Sequence, residues 1–364
     1  MTASISRTLQ IPQTLLAWYD VHARNLPWRN PPGMPIPGDD NWPYRVWLSE
    51  VMLQQTTVAA VKPYFAKFLD TWPSVFDLAS APEEAVMAAW AGLGYYSRAR
   101  NLVKCARHVA QRGGFPRTEA ELRELPGLGP YTAAAIASIA FGERAVVVDA
   151  NVERVVARLF AIEQALPAAR KPIRAQADLI TPDMRAGDFA QAMMDLGSQV
   201  CTAKAPQCLL CPVGDLCDGR KAGEPERLPV KPAKKAKPER RGTAYWIERA
   251  DAQGRGEVWL VTRPQTGMLG AMRALPDDGW SAQADGAAQP LVDLSGRAAG
   301  HDGHEKLGAV RHTFTHAHLT LAVERIAQGT QPEGEGEWWP IDQIEEAGLP
   351  TLFAKAARLA LARR

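Results

Sequence analysis

The stretch Leu125-Pro-Gly-Leu-Gly-Pro-Tyr131-Thr constrains this chain more than any other. Pro126 stands directly before Gly127, Pro130 directly after Gly129, and an Ala-rich helix-forming run follows. The glycines admit backbone conformations closed to other residues, so the segment is expected to be a tight hairpin leading into a helix. Pro130 suits the first helical turn, where its missing N–H costs nothing. The N–H groups of the hairpin and helix start then lie close together and unpaired. That geometry attracts an anion such as a DNA phosphate. An ordinary helix corner without a ligand is the competing reading, and this stretch alone does not separate the two.

A chain of 364 residues is long enough for two or three domains. The net charge of +2 and pI near 8.3 neither demand nor exclude nucleic acid, so local charge matters more than the total. Met1 to Gln10 has no signal-peptide core, and no apolar run approaches the roughly 18 residues of a membrane span. Five cysteines without an export signal point to a reducing, cytoplasmic setting rather than to disulfides.

Helical patterning covers residues 14–22, 44–55, 58–72 and 82–90, then a helix from Ser97, as its cap, to Gln111. A short helix starts at Thr118. More helices are expected over 151–161, 173–179 and 188–200, with a Pro- and Gly-rich loop at Asn30 to Pro43. Residues 1–217 therefore read as all-α, the hairpin unit falling at about 118–141. From Asp218 to Gly242 there are nine Lys or Arg against four acids, with four prolines and little to bury. This reads as an extended basic linker, a solvated tether or one lying along a phosphate backbone. From Thr243 the pattern turns to strands: 243–249 and 257–262 as a hairpin, 307–314 with 319–325, and 337–341, before a terminal helix over 349–362. Asp277 to Gly303 reads as a long mobile loop. The second domain, 243–364, is thus α+β.

Cys201, Cys208, Cys211 and Cys217 have six, two and five residues between them. Four thiolates in so short a segment must converge on something. Zinc sites of four cysteines usually pair two C-x-x-C knuckles, and only one is present, which favours an iron–sulfur cubane held by all four. Cys105, inside a helix, reads as a buried core thiol. Glu50 lies in Val46-Trp-Leu-Ser-Glu50-Val-Met-Leu, apolar on almost every side. A carboxyl there loses hydration, its pKa rises, and it becomes a proton donor near neutral pH; the alternative is a surface Glu. Asp149, before Ala150-Asn151, is a candidate N-cap. As the second of two carboxylates it suggests glycosidic-bond chemistry.

The hairpin, Asp149 and the cysteine spacing together resemble the helix-hairpin-helix DNA glycosylase superfamily. Within it the chain resembles the adenine DNA glycosylase (MutY) family. The residues that carry this are Leu26-Pro-Trp-Arg29, Trp47-Leu-Ser-Glu50-Val-Met-Leu-Gln-Gln-Thr56, Gly92-Leu-Gly-Tyr-Tyr-Ser-Arg98-Ala-Arg100-Asn101-Leu, Leu125 to Thr132, Asp149-Ala-Asn151-Val and the four cysteines, across most of residues 14–217. More weakly, the C-terminal domain resembles that family's nudix-like recognition domain, with Arg311-His-Thr-Phe314-Thr315-His316 matching a Phe-Ser-His loop.

The resemblance implies a monomeric base-excision repair enzyme that flips adenine, mispaired with 8-oxoguanine or guanine, out of duplex DNA. Glu50 would protonate the adenine at N7, and Asp149 would stabilise or briefly bond the cationic sugar in a retaining-type cleavage through an oxocarbenium ion. Tyr131 and Asn151 would position these groups. Gln55 and Tyr95 would fill or wedge the gap beside the oxidised base. Gly127 and Gly129 would grip the backbone, and Arg29 would lie at the adenine pocket. Phe314, Thr315 and His316 would read the oxidised base, and a 4Fe-4S cluster would sit on the four cysteines. Strand-nicking relatives carry a Lys where this chain has Tyr131. A phenol forms no Schiff base, so a monofunctional glycosylase is expected.

Three departures stand out. Loop 30–43 is longer than the family's, Asp-Ala-Asn replaces the commoner Asp-Gly-Asn, and Thr315 replaces Ser. The second domain also lacks a nudix box and is not expected to hydrolyse nucleotides. The rival readings are a pyrimidine-lesion glycosylase-lyase like endonuclease III, against which Tyr131 and the second domain argue, and a non-catalytic DNA-binding module.

Overall fold

Two compact units make up the chain, Met1–Ala233 and Lys234–Arg364. The computed structural model describes residues 2–232, 236–264, 267–270, 272–287, 293–295, 304–314, 316–327 and 331–363.

The first unit is helical: α1 (Thr2–His22), α2 (Trp42–Leu53), α3 (Val58–Thr71), α4 (Val75–Ser80), α5 (Glu83–Trp90), α6 (Ser97–Gln111), α7 (Glu119–Leu122), α8 (Pro130–Phe141), α9 (Ala150–Leu159), α10 (Arg170–Ile180), α11 (Ala186–Gln199) and α12 (Asp218–Lys221). The chain folds it as two lobes. Helices α2 to α8 pack among themselves, and α1 leaves them to join α9 to α12. Helix α8 belongs to both lobes, packed on α2 on one side and on α11 on the other. It can do so because Thr132 to Ala140 are small or apolar and buried all round.

Local chemistry sets the ends of these helices. Thr57 caps α3 by accepting from the Ala60 N–H. Ser74 and Asp77 form a reciprocal capping box on α4, a helix that periodicity did not reveal but that the Ser-Val-Phe-Asp spacing announces. Ser97 does not cap α6; it lies in the first turn, with Tyr96 at the cap. Helix α1 begins far earlier than the expected Thr14, because its first half is held by tertiary contacts rather than by its own amphipathicity. Arg7 donates to Asp218 Oδ2 (2.8 Å) and to the Leu159 and Leu216 carbonyls (2.7 and 2.6 Å).

The expected linker also starts too early. Asp218 to Val230 is folded onto the helical unit: α12 packs on α9, Leu228 is buried, and the Val230 carbonyl accepts from the Leu166 N–H (2.9 Å). Its basic composition hid the few buried contacts that anchor it.

The second unit contains β1 (Glu239–Trp246), β2 (Glu248–Ala250), β3 (Gly256–Thr262), β4 (Arg273–Ala274), β5 (Asp293–Ser295), β6 (His304–Thr313), β7 (His318–Ile326), β8 (Gln331–Glu333), β9 (Glu337–Pro340) and α13 (Thr351–Leu361). One sheet has the order β1-β7-β6, with β1 parallel to β7. A second has the order β2-β3-β4, with β9 also on β3, and β5 pairs β8. The strand expected over 243–249 is thus two strands. Its first part enters the β1-β7-β6 sheet, and only Glu248–Ala250 turns back on β3 as a hairpin. Helix α13 covers β6 and β7, closing a core of Trp246, Leu260, Leu321 and Phe353. The stretch read as a mobile loop from Asp277 begins inside this unit, with Asp277, Asp278 and Trp280 buried; residues 288–292 and 296–303 of it lie outside the described residues.

Candidate active site and cysteine loop

A cavity of about 1030 Å³ opens between the two lobes of the helical unit. Glu50 enters it from α2, Tyr131 from α8, Asp149 and Asn151 from the start of α9, and Gln191 and Met194 from α11. Helix α2 is buried over most of its surface, so the Glu50 side chain meets solvent only through the cavity; the residue is 7% exposed. Its Oε2 accepts a 2.7 Å hydrogen bond from the Tyr131 hydroxyl. Burial pushes the Glu50 carboxyl up to about 7. The Tyr131 hydrogen bond and the Arg29 charge oppose that rise, and Asp149 adds to it. The Tyr131 phenol is itself driven well above its ordinary value by burial and by the two carboxylates, so it stays a neutral donor.

Asp149 is the N-cap of α9. Its Oδ1 accepts from the Val152 N–H (2.7 Å) and its Oδ2 from Asn151 Nδ2 (2.8 Å). Both oxygens are therefore fixed at a helix N-terminus, where negative charge is favoured. Asn151 is steadied in turn by Arg154, which donates to Asn151 Oδ1 (3.0 Å), to the Gly197 carbonyl (2.7 Å) and to the Cys201 carbonyl (2.7 Å). Gly197 allows this close approach, since a Cβ there would meet the Asn151 Cβ at 2.6 Å. Sequence reasoning missed Arg154. An Arg three residues after Asn151 on a helix that leaves Asp149 was the available signal.

Arg29 lines the cavity, but its guanidinium is already committed, forked onto both oxygens of Asp195 at 2.6 and 2.9 Å. Asp195 is fully buried and also takes the Arg24 Nε (2.6 Å) and backbone N–H (3.1 Å). Neither Arg24 nor Asp195 was read from the sequence as part of the site.

Gln55 and Tyr95 sit in tight turns with left-handed φ of 57° and 50°. Gln55 lines the cavity; Tyr95 does not, and is half exposed. Arg98 holds both turns. It donates to the Met52 carbonyl (3.0 Å), Thr56 Oγ1 (3.0 Å) and the Leu93 carbonyl (3.1 Å), and its guanidinium lies 5.4 Å from the Tyr95 ring centre. The hairpin bears out the glycine requirement at Gly127, where φ is +78° and a Cβ would meet Asn101 at 2.8 Å. Gly129 is extended at the cap of α8 with open space beside it. Phe314 and His316 flank the turn between β6 and β7, where the Phe314 N–H bonds the Ala317 carbonyl (2.8 Å). Thr315 lies outside the described residues.

Cys201 follows α11, Cys208 starts a 3-10 turn, and Cys211 and Cys217 complete the loop. The Cys201, Cys208 and Cys217 thiols lie close enough to act electrostatically on Cys211, whose pKa burial pushes up to about 12. Among the described residues no three His, Cys, Asp or Glu side chains are placed to hold a single metal ion. Arg158 gives the loop a preference for an anionic occupant. This buried guanidinium donates to Cys201 Sγ (3.3 Å) and to the Leu228, Thr202 and Ala203 carbonyls (3.0, 2.7 and 3.2 Å), with no carboxylate partner among the described residues. An anionic group on the thiolates would balance its charge. Cys105 is a buried core thiol, raised to about 12 by burial. Among the described residues no helix is long and apolar enough to cross a membrane.

Residues 48–182 match the family model of the HhH-GPD superfamily of base excision DNA repair proteins, and residues 250–359 match a NUDIX domain model. The chain is similar in fold to a thermostable thymine-DNA glycosylase, with a TM-score of 0.53 and 28% identity over 60% of this chain and 99% of that one. The helical unit, with its hairpin and inter-lobe cavity, is therefore that of a helix-hairpin-helix DNA glycosylase. The chain is 36% identical to the adenine DNA glycosylase of Homo sapiens, across 95% of its own length and 73% of the human protein. It is 40% identical to that of Mycolicibacterium smegmatis, across 59% of its own length and 71% of that protein. The chain belongs to the adenine DNA glycosylase family, enzymes of base excision repair.

Proposed function

We propose that this enzyme removes adenine mispaired with 8-oxoguanine or guanine in duplex DNA, and that it does so without cutting the strand. One observation carries the reading: a buried Glu50, half-protonated near pH 7, hydrogen-bonded by Tyr131 in a cavity that also contains the capped Asp149.

The adenine flips into the inter-lobe cavity. The Tyr131 hydroxyl occupies Glu50 Oε2, which leaves Oε1 to carry the proton to N7. The protonated base departs with the electron pair of the C–N bond, leaving an oxocarbenium ion. Asp149, its oxygens held by Val152 and Asn151, stabilises that cation or bonds it transiently from one face. Water then adds to the sugar carbon from the face the adenine left and gives its proton to the Glu50 carboxylate, so that configuration is retained and the acid is restored. With a phenol at position 131, no amine is placed there to form a Schiff base and cut the backbone.

Gly127, Gly129 and the start of α8 hold a phosphate. Gln55 and Tyr95, on turns that Arg98 pins, fill the space left by the flipped nucleotide. Phe314, Thr315 and His316 read the oxidised base from the second domain. The four cysteines hold a 4Fe-4S cluster, which supplies a rigid anionic anchor for the loop beside Arg158. The functional domains are the helical unit, with residues 218–230 folded onto it, and the second unit from Glu239 onward, joined through the short basic segment between them.

The test is strand-specific adenine release from a duplex carrying one A opposite 8-oxoguanine, compared with A opposite T. Release from the mispair alone is expected. Glu50→Gln should abolish it while mispair binding by gel shift stays within a few-fold. Full activity in that variant would overturn the mechanism, and efficient borohydride trapping of a wild-type enzyme–DNA adduct would overturn its monofunctional character.

A further inference from the structure

Arg29 and Glu50 line the same cavity and act on each other electrostatically, the Arg29 charge favouring an ionised Glu50. A buried guanidinium beside a buried carboxyl ordinarily closes on it as a forked ion pair. Here it does not. Glu50 Oε2 takes the Tyr131 hydroxyl, and the Arg29 fork lies on Asp195 instead (2.6 and 2.9 Å).

Asp195 is placed to win that competition. It has no exposed surface, and it follows Met194, which lines the cavity, on α11. Each of its oxygens takes two donors. Oδ1 accepts from the Arg24 Nε and one Arg29 nitrogen, and Oδ2 accepts from the Arg24 backbone N–H and the other Arg29 nitrogen. A carboxylate offers about four acceptor sites, so Asp195 is saturated. Arg24 fixes the carboxylate, and the carboxylate fixes Arg29.

The other charges around Glu50 are committed elsewhere. Asp149, at the head of α9, is held by the Val152 N–H and Asn151. Arg98, from α6, donates to the Val51, Met52 and Gln54 carbonyls at the end of α2 (3.2, 3.0 and 2.5 Å), and α3 brings Val58 to the cavity. Arg170 and Arg174, from α10, pair with Glu153 and Glu119 (3.3 and 3.4 Å). Arg29 is the cation that acts on Glu50, and Asp195 decides where it points.

We propose that Asp195 is a positioning residue for the reaction: by forking Arg29 it keeps that guanidinium from closing on the Glu50 carboxyl, so that Glu50 can hold the proton it delivers. What the proton does rests on the adenine-excising reading above; the fork does not. Without the Asp195 charge, Arg29 is a buried cation in want of a partner, and Glu50 is the carboxyl beside it. Pairing would favour the ionised form of Glu50 and disarm it as an acid.

The test reads Glu50 directly, by 13C NMR titration of the full-length protein labelled at the glutamate side-chain carboxyl, with Glu50→Gln identifying its signal. Asp195→Asn should move the Glu50 midpoint down by roughly one to three pH units. Asp195→Glu, which keeps the negative charge, should move it less. Arg29→Met should move it up, and adding Asp195→Asn to Arg29→Met should move it no further. That last comparison also decides the matter if Asp195→Asn alone does not fold. An unmoved midpoint in Asp195→Asn, or a shift that persists without Arg29, would overturn the proposal. Single-turnover adenine release separates it from the excision reading. In Asp195→Asn, release at pH 8 should fall about tenfold for each unit the midpoint moves, and much less at pH 5. Equal loss at every pH with an unmoved midpoint would make Asp195 merely structural and sink the proposal. A moved midpoint with an unmoved rate profile would sink Glu50 as the acid and leave the Asp195 fork standing.

Discussion

Glu50 combines a structural penalty with a chemical opportunity. Its carboxyl titrates near pH 7 in the folded chain because burial disfavours the charged form, against an ordinary value of 4.5. Below about pH 4 it is protonated in both folded and unfolded states and has no effect on stability. As pH rises from there to above 7, the unfolded chain ionises freely while the folded one resists, so the residue becomes progressively destabilising. Glu50→Gln removes that penalty and keeps an acceptor for Tyr131. Urea unfolding should show the variant more stable by up to about 3 kcal/mol at pH 8, with the gain fading toward pH 4. A gain independent of pH would contradict this origin. Tyr131→Phe acts in the opposite sense on the donor. The Tyr131 hydrogen bond holds the Glu50 pKa down. Its loss should move the alkaline limb of the single-turnover rate profile to higher pH, whatever happens to the maximal rate.

Among the elements, the short connections carry as much of the site as the helices do. The hairpin before α8 depends on Gly127, whose φ of +78° and contact with Asn101 leave no room for a side chain. Gly127→Ala should lower stability by roughly 1–2 kcal/mol and weaken DNA binding more than it slows excision of bound substrate, as thermal unfolding and DNA titration would show. An unchanged DNA affinity would remove the hairpin from the interface. The turns bearing Gln55 and Tyr95 are strained at non-glycine positions, and Arg98 hydrogen-bonds to both. Strain held in this manner is commonest where a side chain must be presented to a ligand. Helix α9 has a comparable role at its two ends. Asp149 caps its start in the cavity, and Arg154 and Arg158 bind the cysteine loop, so the Asp149 carboxylate and the Cys201 backbone are joined through Asn151 and Arg154.

Over the whole molecule, two units with separate cores are expected to unfold separately. Calorimetry should resolve two transitions. Cys211→Ser should lower the transition of the helical unit and leave the other where it was. A shift of both would mean that the units are thermodynamically coupled. The cysteine loop stabilises its own unit in particular because α12, Arg7 and Leu228 all close over it.

The motifs of the helical unit could be read from the sequence because each is local. Pro126 to Pro130 encodes its own turn, Asp149 its own cap, and the cysteines their own loop. The apolar run around Glu50 allowed a buried carboxyl but left a surface one open, and only the packing of α2 decided between them. Tertiary structure alone decided the rest, since the remaining contacts join residues far apart in sequence. Arg7 fastens α1 beside Asp218, and Asp195 locks Arg24 and Arg29. Residues 239–246 pair with β7 rather than with their neighbours. Periodicity reports which face of an element is buried, but not against what. The Tyr131 and Glu50 side chains, 81 positions apart, meet at 2.7 Å only because α8 is small enough to pack between both lobes.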